Sequence, residues 1–443
     1  MSTLDAIVAG KSTEIPLDPP RTLGGTLKYV GPGAVLAALA IGGGELVLNP
    51  RAGAMYGFGL AWLVVVGLFC KYWVTQEIGR YATVTGEDIF DAWSRLGKYY
   101  PIVFDGLAMI ARGVSIAGNG LTLGTILFWA FPGWLTHVQW AMLMSIVSAG
   151  ILYLGLYRAM EKVSLVLIGL TVVTVVTCAI AVLTGRGFSE LITGILSIGH
   201  IPENSWKEAL PLLGWSGEGA LGTALYAAWI KEKGYGVRAG HRQELSAIEI
   251  DRAKGWLKVM RTDAGISFGL QVLACLAFMT AGAVLLQPLG LVPQGNEIAK
   301  EQARLFTEVL GPWAQSLYML GAAGAMFTTL LVAIDCEARV SQDFLQRTGL
   351  VKIGKTNLYR MTLIFAVILT LAFSTTSAPL PLLQFGAVFD GTVMLPIAGI
   401  MTLYANYKLL PKGVKPSGLV LGITIISLAV LSVFMVIALV IGL

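Results

Sequence analysis

Charge is what this sequence has least of. Asp, Glu, Lys and Arg make up 13% of its 443 residues, about half the share of an ordinary soluble domain, which excludes a fold with water on all sides. Cysteine is scarce as well. Cys70, Cys178, Cys275 and Cys336 each stand alone in an apolar segment without paired spacing, so neither a disulfide framework nor a zinc site is indicated. The three histidines, His137, His200 and His241, fall far apart in connecting segments. The sequence has no phosphate-cradling loop and no nucleophile with an adjacent base. An enzyme is therefore not expected, nor a nucleic-acid binder, nor a bound cofactor, and no obligate protein partner is evident.

What abounds is apolar surface and glycine. Hydrophobic residues make up 56% of the chain, 53 glycines and 17 prolines are spread along it, and the mean hydropathy is +0.74. This is the composition of a polytopic helical protein in a lipid bilayer. A helix needs about 20 residues to cross the hydrocarbon core. Eleven segments qualify, near 28–56, 58–79, 101–131, 138–156, 160–184, 207–230, 263–287, 310–338, 358–376, 379–405 and 417–442. Residues 1–25 are polar, lack the apolar region of a signal peptide, and read as a cytoplasmic tail. Lys and Arg concentrate in that tail and in the even-to-odd connections, while the opposite face holds Arg186, Lys207, Lys300 and Arg304. Positive charge stays inside, so the amino terminus is expected in the cytoplasm and the carboxyl terminus outside, in a prokaryotic plasma membrane. The cytoplasmic loop 231–262 includes Gln243 to Met260, which reads as a basic amphipathic helix on the membrane surface or as a solvated linker helix.

Two spans carry breaks. The first reads Gly31-Pro32-Gly33 and then Gly42-Gly43-Gly44-Glu45, and the sixth reads Gly214-Trp215-Ser216-Gly217-Glu218-Gly219. Each glycine costs a helix about 1 kcal/mol relative to alanine, and a carboxylate at the bilayer centre costs at least ~2.5 kcal/mol. Together they mark a polar site. The breaks open the first and second groups of five spans, which predicts an inverted repeat with the broken helices meeting at the midplane. Its halves would be 26–184 and 207–405, joined by an extracellular connection at 185–206 and followed by a further span within 406–443. Glu45 and Glu218, with Gly42, Trp215 and Ser216, would form an oxygen cage for a cation, lined by Gly43, Gly44, Gly217 and Gly219. The alternative for either glutamate alone is a structural hydrogen bond to a neighbouring helix.

At these residues the chain resembles the NRAMP family of divalent metal transporters over about residues 25–440. Gly31-Pro32-Gly33 matches the family's opening of helix 1, and Gly53 to Trp62 matches its turn into helix 2. The resemblance implies an all-α integral membrane fold of about eleven helices, a LeuT-like inverted repeat of five and five spans plus one. The motifs are altered. Where the family has Asp-Pro-Gly-Asn, Gly42 stands for the aspartate and Glu45 for the asparagine; where it has Met-Pro-His, Glu218, Gly219 and Ala220 stand. A thioether favours softer metals, whereas carboxylates and carbonyls suit Mg and Mn. The glycines are expected to leave room for a partly hydrated Mg²⁺, similar to the NRAMP-related magnesium transporters.

The resemblance also places the family's acidic pair of helix 3 on Gly113 and Ile116, which implies that no proton relay is present. Arg112 needs a partner within the membrane, either Asp105 or Asp263 in a structural pair, or else it stands in for a coupling ion. Asp263, at the start of span 7, reads as a cap. Asp335, Glu337 and Arg339 cluster after Thr328-Thr329, with Asp335 and Arg339 spaced for a gating salt bridge. Asp390, one turn before the position of a family glutamine at Met394, lines the path. The expected function is alternating-access transport of a hard divalent cation, Mg²⁺ with Mn²⁺ tolerated, without proton coupling. The alternative is a small organic solute such as an amine or amino acid.

Overall fold

A computed structural model describes residues 18–442 except 41, 156–168, 170, 171, 174, 178, 184, 241, 295–299, 301, 302, 304–306, 308–310, 312, 376 and 377. All regular structure among these residues is helical. After a short α1 (Leu23–Leu27) come α2 (Pro32–Ala40), a π turn at Gly44–Leu48 and α3 (Asn49–Tyr56), which together form the broken first span. Then follow α4 (Ala61–Thr85), α5 (Ile89–Leu96), α6 (Tyr99–Ala130), α7 (His137–Tyr153) and α8 (Gly185–Leu196). The second broken span consists of α9 (Trp206–Trp215) and α10 (Ala220–Lys233). The remainder comprises α11 (Ala247–Ala281), α12 (Ala314–Thr348), α13 (Lys355–Ser374), α14 (Pro379–Gly386), a π turn at Ala387–Met394, α15 (Leu395–Leu409) and α16 (Gly418–Ile441).

Among the described residues six helical stretches are long and apolar enough to cross a membrane, and a seventh if Val175–Val182 and Gly187–Leu196, bent by 110°, count as one. The chain is an integral membrane protein. The other sequence-derived spans miss that measure for identifiable reasons. The first and sixth are cut into short halves, α7 has 17 residues, and α4 carries Lys71, Glu77 and Arg80 inside it. Most of the expected span 160–184 lies outside the described residues. The charges of α4 are buried and need partners. Arg80 meets Glu77 at 2.9 Å, and the Asn406 side-chain amide donates to the Glu77 carboxylate at 3.0 Å, fixing α4 to α15.

The structure corrects the reading of 243–260. No separate amphipathic surface helix forms there; Ser246 caps α11 through a reciprocal capping box with Glu249, and the helix runs 35 residues without interruption into span 7. Trp256, Leu257 and Met260 are buried rather than spread on a membrane surface. Asp263 consequently sits within α11, not at its start. It still caps, but across the bundle: its carboxylate accepts from the Gly31 and Gly33 amides at 3.0 and 2.7 Å and from the Tyr226 hydroxyl at 2.8 Å. The orphan amides at the start of α2 are thus satisfied by another helix.

Candidate functional site

The sixth of the expected spans, helix 6, breaks between α9 and α10 at Ser216–Gly219, where Gly217 takes a φ of +74°, a conformation that favours glycine. The Gly217 amide then donates to the Glu45 carboxylate at 3.0 Å. Glu45 is fully buried in the π turn that follows the helix 1 break, and the Gly42 amide approaches its other oxygen at 3.4 Å. One carboxylate therefore bridges both breaks. Glu218, one residue on, folds over Gly222 and lines a central cavity of about 20 Å³ with Gly43, Gly44, Arg112, Asn119, Trp215, Gly217 and Thr329. Among the described residues Glu218 accepts no hydrogen bond, which leaves its carboxylate available.

The glycines do not serve the purpose expected of them. A Cβ at Gly42 would strike Thr329, one at Gly43 would strike Asn119 and Leu383, and one at Gly44 would strike the Trp215 carbonyl. Gly217 is covered by Gln271 and Leu68, and Gly219 by the Asp390 carboxylate. These residues are small because neighbours press against their backbones. A cavity of this size holds about one water, so a hydrated ion does not fit in this conformation.

Arg112 pairs with neither Asp105 nor Asp263. Its guanidinium meets Asp390 at 3.4 Å, with both groups buried, because Asp263 is committed to helix 1 while Asp390 faces the second break. Asp390 also accepts from the Leu221 amide at 3.1 Å, capping α10. Asp335 and Arg339 pair at 2.8 Å; Arg339 reaches Glu232 of α10 at 3.0 Å, and the Tyr359 hydroxyl donates to Asp335 at 2.6 Å. Glu337 does not join them. It is buried apart, with the Ser341 hydroxyl donating to one oxygen at 3.2 Å.

Several residues near the breaks escaped the sequence reading. Lys71 of α4 is completely buried, and its ammonium donates to the carbonyls of Gly214 and Ser216 at 2.8 and 3.0 Å. A lysine in the middle of an apolar run is itself a signal of function. Among the described residues the side-chain oxygens of Asn119 and Gln271 are buried without hydrogen-bond partners. Cys275, read as a lone thiol, lies 3.5 Å from the Glu45 carboxylate. Among the described residues no three His, Cys, Asp or Glu side chains gather as a metal cluster, so a cation here would draw on carbonyl, amide and hydroxyl oxygens beside the carboxylates.

The family profile described as Natural resistance-associated macrophage protein-like, Nramp, matches residues 33–441. The chain belongs to the Nramp family. Uncharacterized protein PM0681 of Pasteurella multocida (strain Pm70) is 25% identical over 416 residues, covering 91% of this chain and 90% of that protein. Among solved structures, a mutant of the Eremococcus coleocola manganese transporter superposes with a TM-score of 0.72 at 13% identity, covering 97% of this chain and 90% of that one. MhsT in complex with L-phenylalanine gives a TM-score of 0.58 at 16% identity, covering 96% and 99%. At these identities the Nramp chain shares a fold with both structures.

Proposed function

We propose that this Nramp chain is a secondary transporter of a hard divalent cation, Mg²⁺ foremost with Mn²⁺ tolerated, working by alternating access and without proton coupling. The frame proposed with it is an eleven-span inverted repeat with halves at 26–184 and 207–405, in a prokaryotic plasma membrane with the amino terminus in the cytoplasm. The observation that carries the reading is the carboxylate of Glu45, which joins the helix 1 break to the Gly217 amide beside the available carboxylate of Glu218. Among the described residues Asn119 and Gln271 add buried oxygens without hydrogen-bond partners, a donor set that suits hard cations. Family membership and the Eremococcus structure, titled a manganese transporter, support a divalent substrate.

The test is uptake into proteoliposomes against a panel of Mg²⁺, Mn²⁺, Ca²⁺ and simple amines. Saturable Mg²⁺ uptake that competes with Mn²⁺ and is lost in both Glu45→Gln and Glu218→Gln is the expected result; normal uptake by both variants would put the site elsewhere. One observation favours a second reading, an amine substrate: the broken helix already holds an ammonium, that of Lys71, on two carbonyls. Amine uptake without divalent uptake would establish that alternative.

A further inference from the structure

We infer that Lys71 is a tethered monovalent cation, its ammonium filling a cation seat formed by the Gly214 and Ser216 carbonyls at the helix 6 break. Three buried arginines of the bundle are held differently. Arg51 faces Glu208, Arg80 faces Glu77 and Arg112 faces Asp390, each within 3.4 Å of a carboxylate oxygen. Among the described residues Lys71 has no such partner within salt-bridge reach; its Nζ touches the two backbone oxygens at 2.8 and 3.0 Å. In an uninterrupted helix those oxygens would accept from the amides of residues 218 and 220, and the break removes both donors. They also stand at the negative end of α9, where cations are favoured. Carbonyls converging on a charge whose interacting carboxylates, Glu218, Glu45 and Asp390, lie beyond salt-bridge reach are the environment of a bound monovalent ion rather than of a contact ion pair.

The tether has a functional meaning. An ion recruited from solution would have to be carried or released in each cycle, whereas the Lys71 charge stays with α4. The wild-type chain therefore needs no sodium or potassium at this position. Removing the ammonium would leave a vacant seat of ammonium size, which a free cation can fill. This inference rests on the geometry of the break and holds whatever the transported substrate is.

The experiment is thermal unfolding of the purified full chain in chloride salts of ammonium, methylammonium, potassium, sodium and choline at matched ionic strength. Wild type is expected to melt at the same temperature in all five. Lys71→Ala should melt lower in choline and recover by several degrees, saturably, in ammonium or methylammonium. Lys71→Met, which fills the space without a charge, should stay low in every salt. If Lys71→Ala does not fold, Lys71→Ser, which leaves the same room, is expected to show the same ammonium-specific rise. A folded Ala or Ser variant indifferent to ammonium over choline would overturn the proposal, as would a wild-type response of equal size. Loss of Mg²⁺ uptake by wild type would refute the divalent reading and leave this readout untouched.

Discussion

Cys275 lies 3.5 Å from Glu45, which changes what replacing the family's methionine with Glu218 does to selectivity. The resemblance puts Glu218 where the family has its soft donor, yet a thiol from α11 borders Glu45 of the proposed site, and thiols select softer metals. Cd²⁺ should therefore compete with Mn²⁺ in wild type and lose at least about tenfold, or ~1.4 kcal/mol, in Cys275→Ser. Glu218→Met should raise Cd²⁺ competition further; an unchanged Cd²⁺ preference in both variants would remove sulfur from the account. The glutamates stood out in the sequence because a carboxylate in an apolar glycine-rich run is costly to insert, and Glu45 does make the structural hydrogen bond that was the alternative, from the Gly217 amide at 3.0 Å. Lys71 was equally visible but passed over, since one residue does not announce which carbonyls it will meet 143 positions away. The Arg112 partner was misread for the same reason: Asp390 is 278 positions distant, and only the folded bundle brings it nearer than Asp105.

Helices in this molecule approach backbone to backbone where glycine allows it. A Cβ at Gly44 would enter the Trp215 carbonyl, one at Gly214 the Ala387 carbonyl, and one at Gly391 the Gly214 carbonyl. The two broken helices and the π turn at Ala387–Met394 are thereby stacked through main-chain atoms. Gly44→Ala and Gly391→Ala are each expected to lower the melting temperature, by about 2 kcal/mol equivalent in line with overpacked cores, and Gly24→Ala, where a Cβ meets nothing, should not. The places of the breaks were readable from consecutive glycines, but their reason was not. Composition reports that side chains are missing, and the packing decides whether the vacancy holds an ion or a neighbouring backbone. The helix from Ala247 likewise shows periodicity that fits a surface helix until Trp256 and Met260 are seen covered by other helices.

The two broken helices are tied at both ends. At one end Arg51 of α3 grips Glu208 of α9 through two hydrogen bonds at 3.1 and 3.0 Å and reaches the Pro293 carbonyl at 2.8 Å, while the Gln384 amide donates to Glu208 at 3.2 Å. At the other end Asp263 holds the start of α2 and Arg339 holds Glu232. Glu208→Gln should free the first end, raising the labelling rate of a cysteine placed at Ala40 severalfold, while Glu232→Gln, an exposed partner of modest strength, should change it little. The whole bundle also bears on proton coupling. Gly113 and Ile116 carry no titratable group, and Arg112 sits beside them already paired with Asp390, in keeping with the uncoupled transport proposed. Liposomes loaded with a pH dye should show no metal-driven acidification at fixed voltage, and acidification that vanishes in Glu45→Gln would mean that the glutamate itself carries protons.

The Arg51–Glu208 tie also makes the molecule a thermometer of a particular sign. Forming it strips water from a guanidinium and a carboxylate, and the hydration of such groups becomes less favourable as temperature rises. Warming therefore weakens the term that opposes the tie. A pair of spectroscopic labels bridging α3 and α9 should report a shorter mean separation in the warm than in the cold, and Glu208→Gln should abolish the trend.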